Sequence, residues 1–199
     1  TKMPAHVMPP HEVAVREEVC EQIQAAQDRG DDTFFLTHNF IIRELPQQIR
    51  NLKSTLQILH IDNNYELSSL PPAIGDLSNL RWLNVSYNNL TELPSEIGRL
   101  RHLERLHVNN NKLASLPIEL WALKNLEEIH CESNQLRALP TAVLMSRCLR
   151  ELYADNNPFV TEADVDGVDV TELFPAQYTG GDCANCRVRF QSDEAIAFC

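Results

Sequence analysis

Six asparagines, Asn39, Asn64, Asn88, Asn111, Asn134 and Asn157, recur at spacings of 25, 24, 23, 23 and 23 residues. Each occupies the same slot in a repeated phrase. One copy runs Leu80, Leu83, Val85, Asn88, Leu90, Leu93, Pro94, Ile97, and the next runs Leu103, Leu106, Val108, Asn111, Leu113, Leu116, Pro117, Leu120. A fixed period of this size is the signature of a solenoid, in which each unit buries its apolar face only by stacking on its neighbours. The leucines mark one short strand per unit and a continuous core. An inward asparagine answers backbone groups that a tight turn would leave buried and unpaired. The prolines Pro46, Pro71, Pro94, Pro117 and Pro140 stop the strand and suit the first turn of a short helix. The first two copies carry one extra residue before Ile42 and Leu67, which predicts a looser turn there.

Residues 33–159 resemble the leucine-rich repeat superfamily. The wording Leu70-Pro-Pro-Ala-Ile-Gly75 and Leu93-Pro-Ser-Glu-Ile-Gly98 is similar to its intracellular, Ras-suppressor-like branch, as is the approach from Ala25 to Pro46. The resemblance implies an α/β leucine-rich-repeat solenoid. A curved parallel sheet forms its concave face, short helices or 3-10 turns form its convex face, and a helical cap closes its N-terminus. It also implies a protein–protein scaffold rather than an enzyme.

The chain divides accordingly. Residues 1–10 form an N-terminal tail. Residues 11–30 form a capping helix with Val15, Val19, Ile23 and Ala26 at helical spacing and Gly30 at the C-terminal cap position. Six repeats fill 31–159. Residues 160–182 form an acidic C-terminal cap or linker, and 183–199 carry Cys183, Cys186 and Cys199.

A Cys-x-x-Cys on a tight turn places two thiolates for tetrahedral zinc. Gly180-Gly181 permits the turn, and Arg187–Phe190 reads as a short strand leaving it. With Cys199 as a third ligand, the segment reads as most of a zinc knuckle. Its fourth ligand would come from beyond Cys199, from a histidine or from a partner chain. Free thiols, a disulfide and a redox pair are the alternatives. Cys20, Cys131 and Cys148 fall in packing positions, where free cysteine acts as a small hydrophobe.

Charge narrows the partners. The formal net charge is −11, and from Glu151 to Asp182 there are eight acidic residues and no Lys or Arg. Such a surface repels nucleic acid and anionic lipid and favours a protein partner with a basic segment. No run of about 18 apolar residues marks a membrane span. The first residues lack the character of a signal or transit peptide, so an intracellular, cytoplasmic setting is expected, with a mitochondrial one left open.

The repeat also assigns the concave face. One column reads Phe35, His60, Asn84, His107, His130, Tyr153. Its neighbours read Thr33, Ile58, Trp82, Arg105, Glu128, Glu151, and Thr37, Asp62, Ser86, Asn109, Glu132, Asp155. A fourth reads His38, Asn63, Tyr87, Asn110, Ser133, Asn156. Trp82, Ile58 and Tyr87 form an aromatic and apolar patch, whereas Glu128, Glu132, Glu151 and Asp155 turn the C-terminal half acidic. These residues, with Phe35, His60, Arg105, His107, His130 and Tyr153, are the candidate partner-binding surface. His107 and His130 are ladder neighbours, which admits a metal or a pH switch beside the plainer reading of stacked like residues. No catalytic constellation or phosphate-binding glycine loop is present. The expected role is a non-enzymatic adaptor, with a fixed accessory subunit of a large assembly as the alternative.

Overall fold

The computed structural model describes residues 10–37, 42–139, 148–159 and 189–190. Helix α1 (Pro10–Arg29) leads into six three-residue strands: β1 (Thr33–Phe35), β2 (Ile58–His60), β3 (Trp82–Asn84), β4 (Arg105–His107), β5 (Glu128–His130) and β6 (Glu151–Tyr153). They pair in parallel in chain order, each with the next. A seventh strand, β7 (Arg189–Phe190), pairs with β6 and extends the same sheet. The register sets Thr33 opposite Ile58, Ile58 opposite Trp82, Trp82 opposite Arg105, and so on to Glu151. The strand offsets therefore follow the asparagine spacings.

Parallel strands need a crossover, and from β1 to β5 each one carries a short 3-10 helix: η1 (Gln47–Leu52), η2 (Pro72–Asp76), η3 (Ser95–Arg99) and η4 (Ile118–Ala122). The repeat prolines stand one residue before each turn, with extended ψ between 139° and 151°. They thus break the extended segment and leave the first helical position to the next residue. The strand centres Leu59, Leu83, Leu106, Ile129 and Leu152 are fully buried, as are Ile49, Ile74, Ile97 and Leu120 from the turns. These side chains meet in one core between sheet and turns.

Glycine sets the spacing of the turns. A Cβ added at Gly75 would lie 2.4 Å from the carbonyl oxygen of Glu96, and one at Gly98 would lie 2.6 Å from Cβ of Glu119. Neither glycine has a positive φ, so the requirement is room between successive turns, not backbone conformation.

Asparagine ties the units from inside. Asn111 Nδ2 donates to Val85 O at 2.9 Å and Val108 O at 3.0 Å, while its Oδ1 accepts from Leu90 N at 3.0 Å. Asn134 repeats the pattern with Val108 O, Cys131 O and Leu113 N, and Asn157 with Cys131 O, Ala154 O and Leu136 N. Asn88 differs. Its Oδ1 accepts from the backbone of Asn64 itself, at 2.9 Å, not from a residue two further on. In this repeat, with its extra residue, the Leu67 amide donates instead to Asn64 O at 2.9 Å.

The apolar stripe of α1 lies against the first repeat, with Val19, Ile23 and Ala26 fully buried and Val15 partly so. The helix ends in a Schellman motif. Gly30, at φ 71°, donates to Gln27 O, and Asp31 N donates to Ala26 O, both at 3.0 Å. The buried carboxylate of Glu12 reaches Arg43 Nε at 3.4 Å, linking the helix to the first repeat. Cys131 is buried in the core as its slot requires, while Cys20 and Cys148 are half-buried. Burial pushes the Cys131 thiol far up from its ordinary pKa, so it is no nucleophile at neutral pH.

Candidate functional site

In a strand, residues i and i+2 share a face, so the first and third residues of β1–β6 project from the concave side while the middle residue enters the core. This placement gathers the candidate residues into a continuous chain of rings. Phe35 stacks on His60 (centroids 5.1 Å apart), and His60 meets the edge of Trp82 (4.7 Å). Trp82 meets His107 (5.6 Å), His107 meets His130 (4.3 Å), and His130 stacks on Tyr153 (4.2 Å).

The sequence column breaks at Asn84, and the structure mends the break from the neighbouring column. Trp82, two residues earlier on the same face of β3, stands between His60 and His107 at 68° and 65° to their planes. Asn84 turns instead to polar partners, His60 Nδ1 at 3.3 Å and Asp62 Oδ1 at 3.2 Å. Trp82 also receives Arg105, whose guanidinium carbon lies 5.6 Å from the ring centre. The expected patch of Trp82 with Tyr87 is thus divided. Trp82 joins the histidines, and among the described residues no ring contact joins it to Tyr87. Ile58 is half-buried.

The fourth column has a different meaning from the one expected. Asn63, Tyr87, Asn110, Ser133 and Asn156 all adopt positive φ, between 53° and 61°. These are the left-handed residues that turn the chain out of each strand. Asparagine tolerates this conformation, whereas a bulky ring there is an outlier. The recurrence of Asn in three of the five positions, with Ser in a fourth, is the visible signal. Tyr87 is the exception, and its side chain is 47% exposed.

The acidic half is organised around His130. Its Nε2 lies 2.8 Å from Glu128 Oε1 and its Nδ1 lies 3.2 Å from Glu132 Oε1. Glu128 Oε2 faces Arg105 Nε at 3.4 Å. His107 Nε2 lies 3.4 Å from Glu128 Oε1, yet is buried without a hydrogen-bond partner of good geometry. The hydrogen bond to Glu132 holds His130 above the ordinary histidine pKa, against the opposing effect of burial. Burial and the proximity of His130 hold His107 below it. Glu151 accepts from the Tyr153 hydroxyl at 2.8 Å, and Asp155 is half-buried at the end of its column. Cys183, Cys186 and Cys199 lie outside the described residues, as do His38 and the acidic segment 160–182.

This geometry is a leucine-rich-repeat solenoid with an N-terminal helix. Residues 72–164 match the family described as leucine-rich repeat region. A comparison with curated proteins finds no match. Among solved structures, a leucine-rich-repeat protein of Leptospira interrogans is 24% identical, with a TM-score of 0.45. The match covers 81% of this chain and 48% of that one, so the chain spans about half the length of that protein. The family match, together with the repeat geometry, supports the leucine-rich repeat superfamily. Among the described residues, no helix is long and apolar enough to cross a membrane.

Proposed function

We propose that this chain is a non-enzymatic interaction adaptor that holds a protein partner on its concave face. The observation that carries the reading is Tyr87. A left-handed non-glycine residue costs about 1–2 kcal/mol, and four equivalent turns use Asn or Ser. The ring is exposed, so the fold recovers little of that cost. A strained, exposed aromatic suits a binding anchor. Phe35, 61% exposed at the N-terminal end of the ring ladder, offers a second anchor. At the other end Glu128, Glu132, Glu151 and Asp155 favour a basic portion of the same partner.

The Leu-Pro-x-x-Ile-Gly wording supports the Ras-suppressor-like branch and, with it, an intracellular setting. The zinc knuckle at Cys183, Cys186 and Cys199 stays part of this proposal as a further element for holding the chain in a complex.

Affinity capture from native cells, followed by titration of the captured protein, tests the reading. Tyr87→Asn, which leaves the backbone at least as stable, and Phe35→Thr are each expected to weaken binding tenfold or more, about 1.4 kcal/mol. Ile118→Ser in η4 on the convex side, where Ile118 is 64% exposed, is expected to leave it unchanged. The reverse pattern would place the partner on the other surface.

A further inference from the structure

We propose that His107 Nε2, His130 Nε2 and Glu128 Oε1 form a three-ligand zinc site on the concave face, with the fourth position open. The three side chains come from adjoining strands. His107 ends β4, and Glu128 and His130 are the i and i+2 residues of β5, on one face. One ligand atom from each of the three residues lies within 4.8 Å of the other two. Zinc bonds of about 2.0–2.1 Å in tetrahedral geometry set ligand atoms roughly 3.3–3.5 Å apart. The 3.4 Å between His107 Nε2 and Glu128 Oε1 already meets this. The 2.8 Å between His130 Nε2 and Glu128 Oε1 is a hydrogen bond, which widens when a metal replaces its proton.

Two features outside the ligand set, and one within it, point the same way. Glu132 takes the Nδ1 side of His130 at 3.2 Å, so when a metal displaces the Nε2 proton the ring keeps its Nδ1 proton on a carboxylate and its orientation. A carboxylate behind a metal-binding histidine is the usual supporting arrangement. Arg105 holds the Oε2 of Glu128, which directs Oε1 to the histidines. His107 Nε2 is buried with no hydrogen bond to satisfy it, and a metal would supply the missing partner. Two imidazoles with one carboxylate are a donor set that zinc takes, and the two imidazole nitrogens disfavour magnesium and calcium.

The test is equilibrium dialysis against Zn2+ of the untagged full chain carrying Cys183→Ser, Cys186→Ser and Cys199→Ser, which removes the competing thiols. One zinc per chain is expected, with no binding of Mg2+ under the same conditions. Glu132→Gln should weaken zinc roughly 10- to 100-fold, and His107→Asn or His130→Asn by more. Asparagine is chosen because Asn84 occupies this register in β3, so the fold already carries it there. Thermal melts without zinc verify folding, and the zinc-dependent rise in Tm should vanish in both histidine variants. No saturable zinc binding in the thiol-free chain, or binding unchanged in both histidine variants, overturns the site. No partner is needed, so this outcome is independent of the adaptor reading.

Discussion

Gly75→Ala is expected to destabilise the protein by about 2–3 kcal/mol, the upper part of the range for forcing extra volume into a close-packed site. The added Cβ would stand 2.4 Å from the Glu96 carbonyl oxygen, 2.8 Å from Glu96 Cβ and 3.0 Å from its carbonyl carbon. All three atoms belong to, or are bonded to, the backbone of η3, so no rotamer change relieves the clash. The turns η2 and η3 must separate, and that separation reaches Ile74 and Ile97, both fully buried beneath them. Gly98→Ala should cost less, because only a Cβ lies closer than 3.0 Å there. Gly30→Ala makes the contrast. Nothing lies within 4 Å of its Cβ, and its penalty is only that of holding φ at 71°, about 1–2 kcal/mol. Urea denaturation midpoints of the three variants should fall in that order, with Gly75→Ala lowest.

Asn111→Leu is expected to cost about 2–4 kcal/mol, close to the centre of the solenoid. The magnitude follows from what each neighbour keeps. Val85 O also receives Asn88 Nδ2, at 2.8 Å, and Val108 O also receives Asn134 Nδ2, at 3.0 Å. Both carbonyls therefore retain a donor when Asn111 is lost. The Leu90 N–H does not, since its bond goes to Asn111 Oδ1. One buried, unsatisfied donor costs about 1–3 kcal/mol, and the weakened carbonyls add about 1. In a quasi-one-dimensional fold, cooperativity passes only between neighbours. The variant should therefore also unfold over a broader denaturant range. A transition as sharp and as late as that of the parent chain would show that the asparagine ladder is not what couples the repeats.

Both effects depend on parts of the molecule that differ in how openly the sequence displays them. The asparagine spacings state the strand register outright, because an inward polar residue has one place to stand in each unit. Gly30 likewise announces the end of α1, since the left-handed cap favours glycine. The reason for Gly75 and Gly98 was not legible. The repeated wording marks the positions, but only the distance between turns shows that a single methyl group cannot fit. Residue spacing says which side chains share a strand face, but not the ring contacts or the backbone conformation they adopt there. It grouped Trp82 with Ile58 and Tyr87, whereas the ring stands between His60 and His107, since alternation fixes the face of a residue but not the direction its ring takes. It treated the column of Asn63 and Tyr87 as free surface, whereas backbone conformation constrains that column first. The pairing of Glu132 with His130 and of Arg105 with Glu128 depends on rotamers, and residue spacing carries no information about these.

The central claim is that the partner lies on the concave face. Hydroxyl-radical footprinting of the chain, alone and with its captured partner, tests this side chain by side chain. Phe35 and Tyr87 are exposed in the free chain, and Ile118 on the convex turn is exposed as an internal reference. The account predicts at least severalfold protection of Phe35 and Tyr87 in the complex, with Ile118 unchanged. Protection of Ile118 while Phe35 and Tyr87 react at their free rates would contradict it.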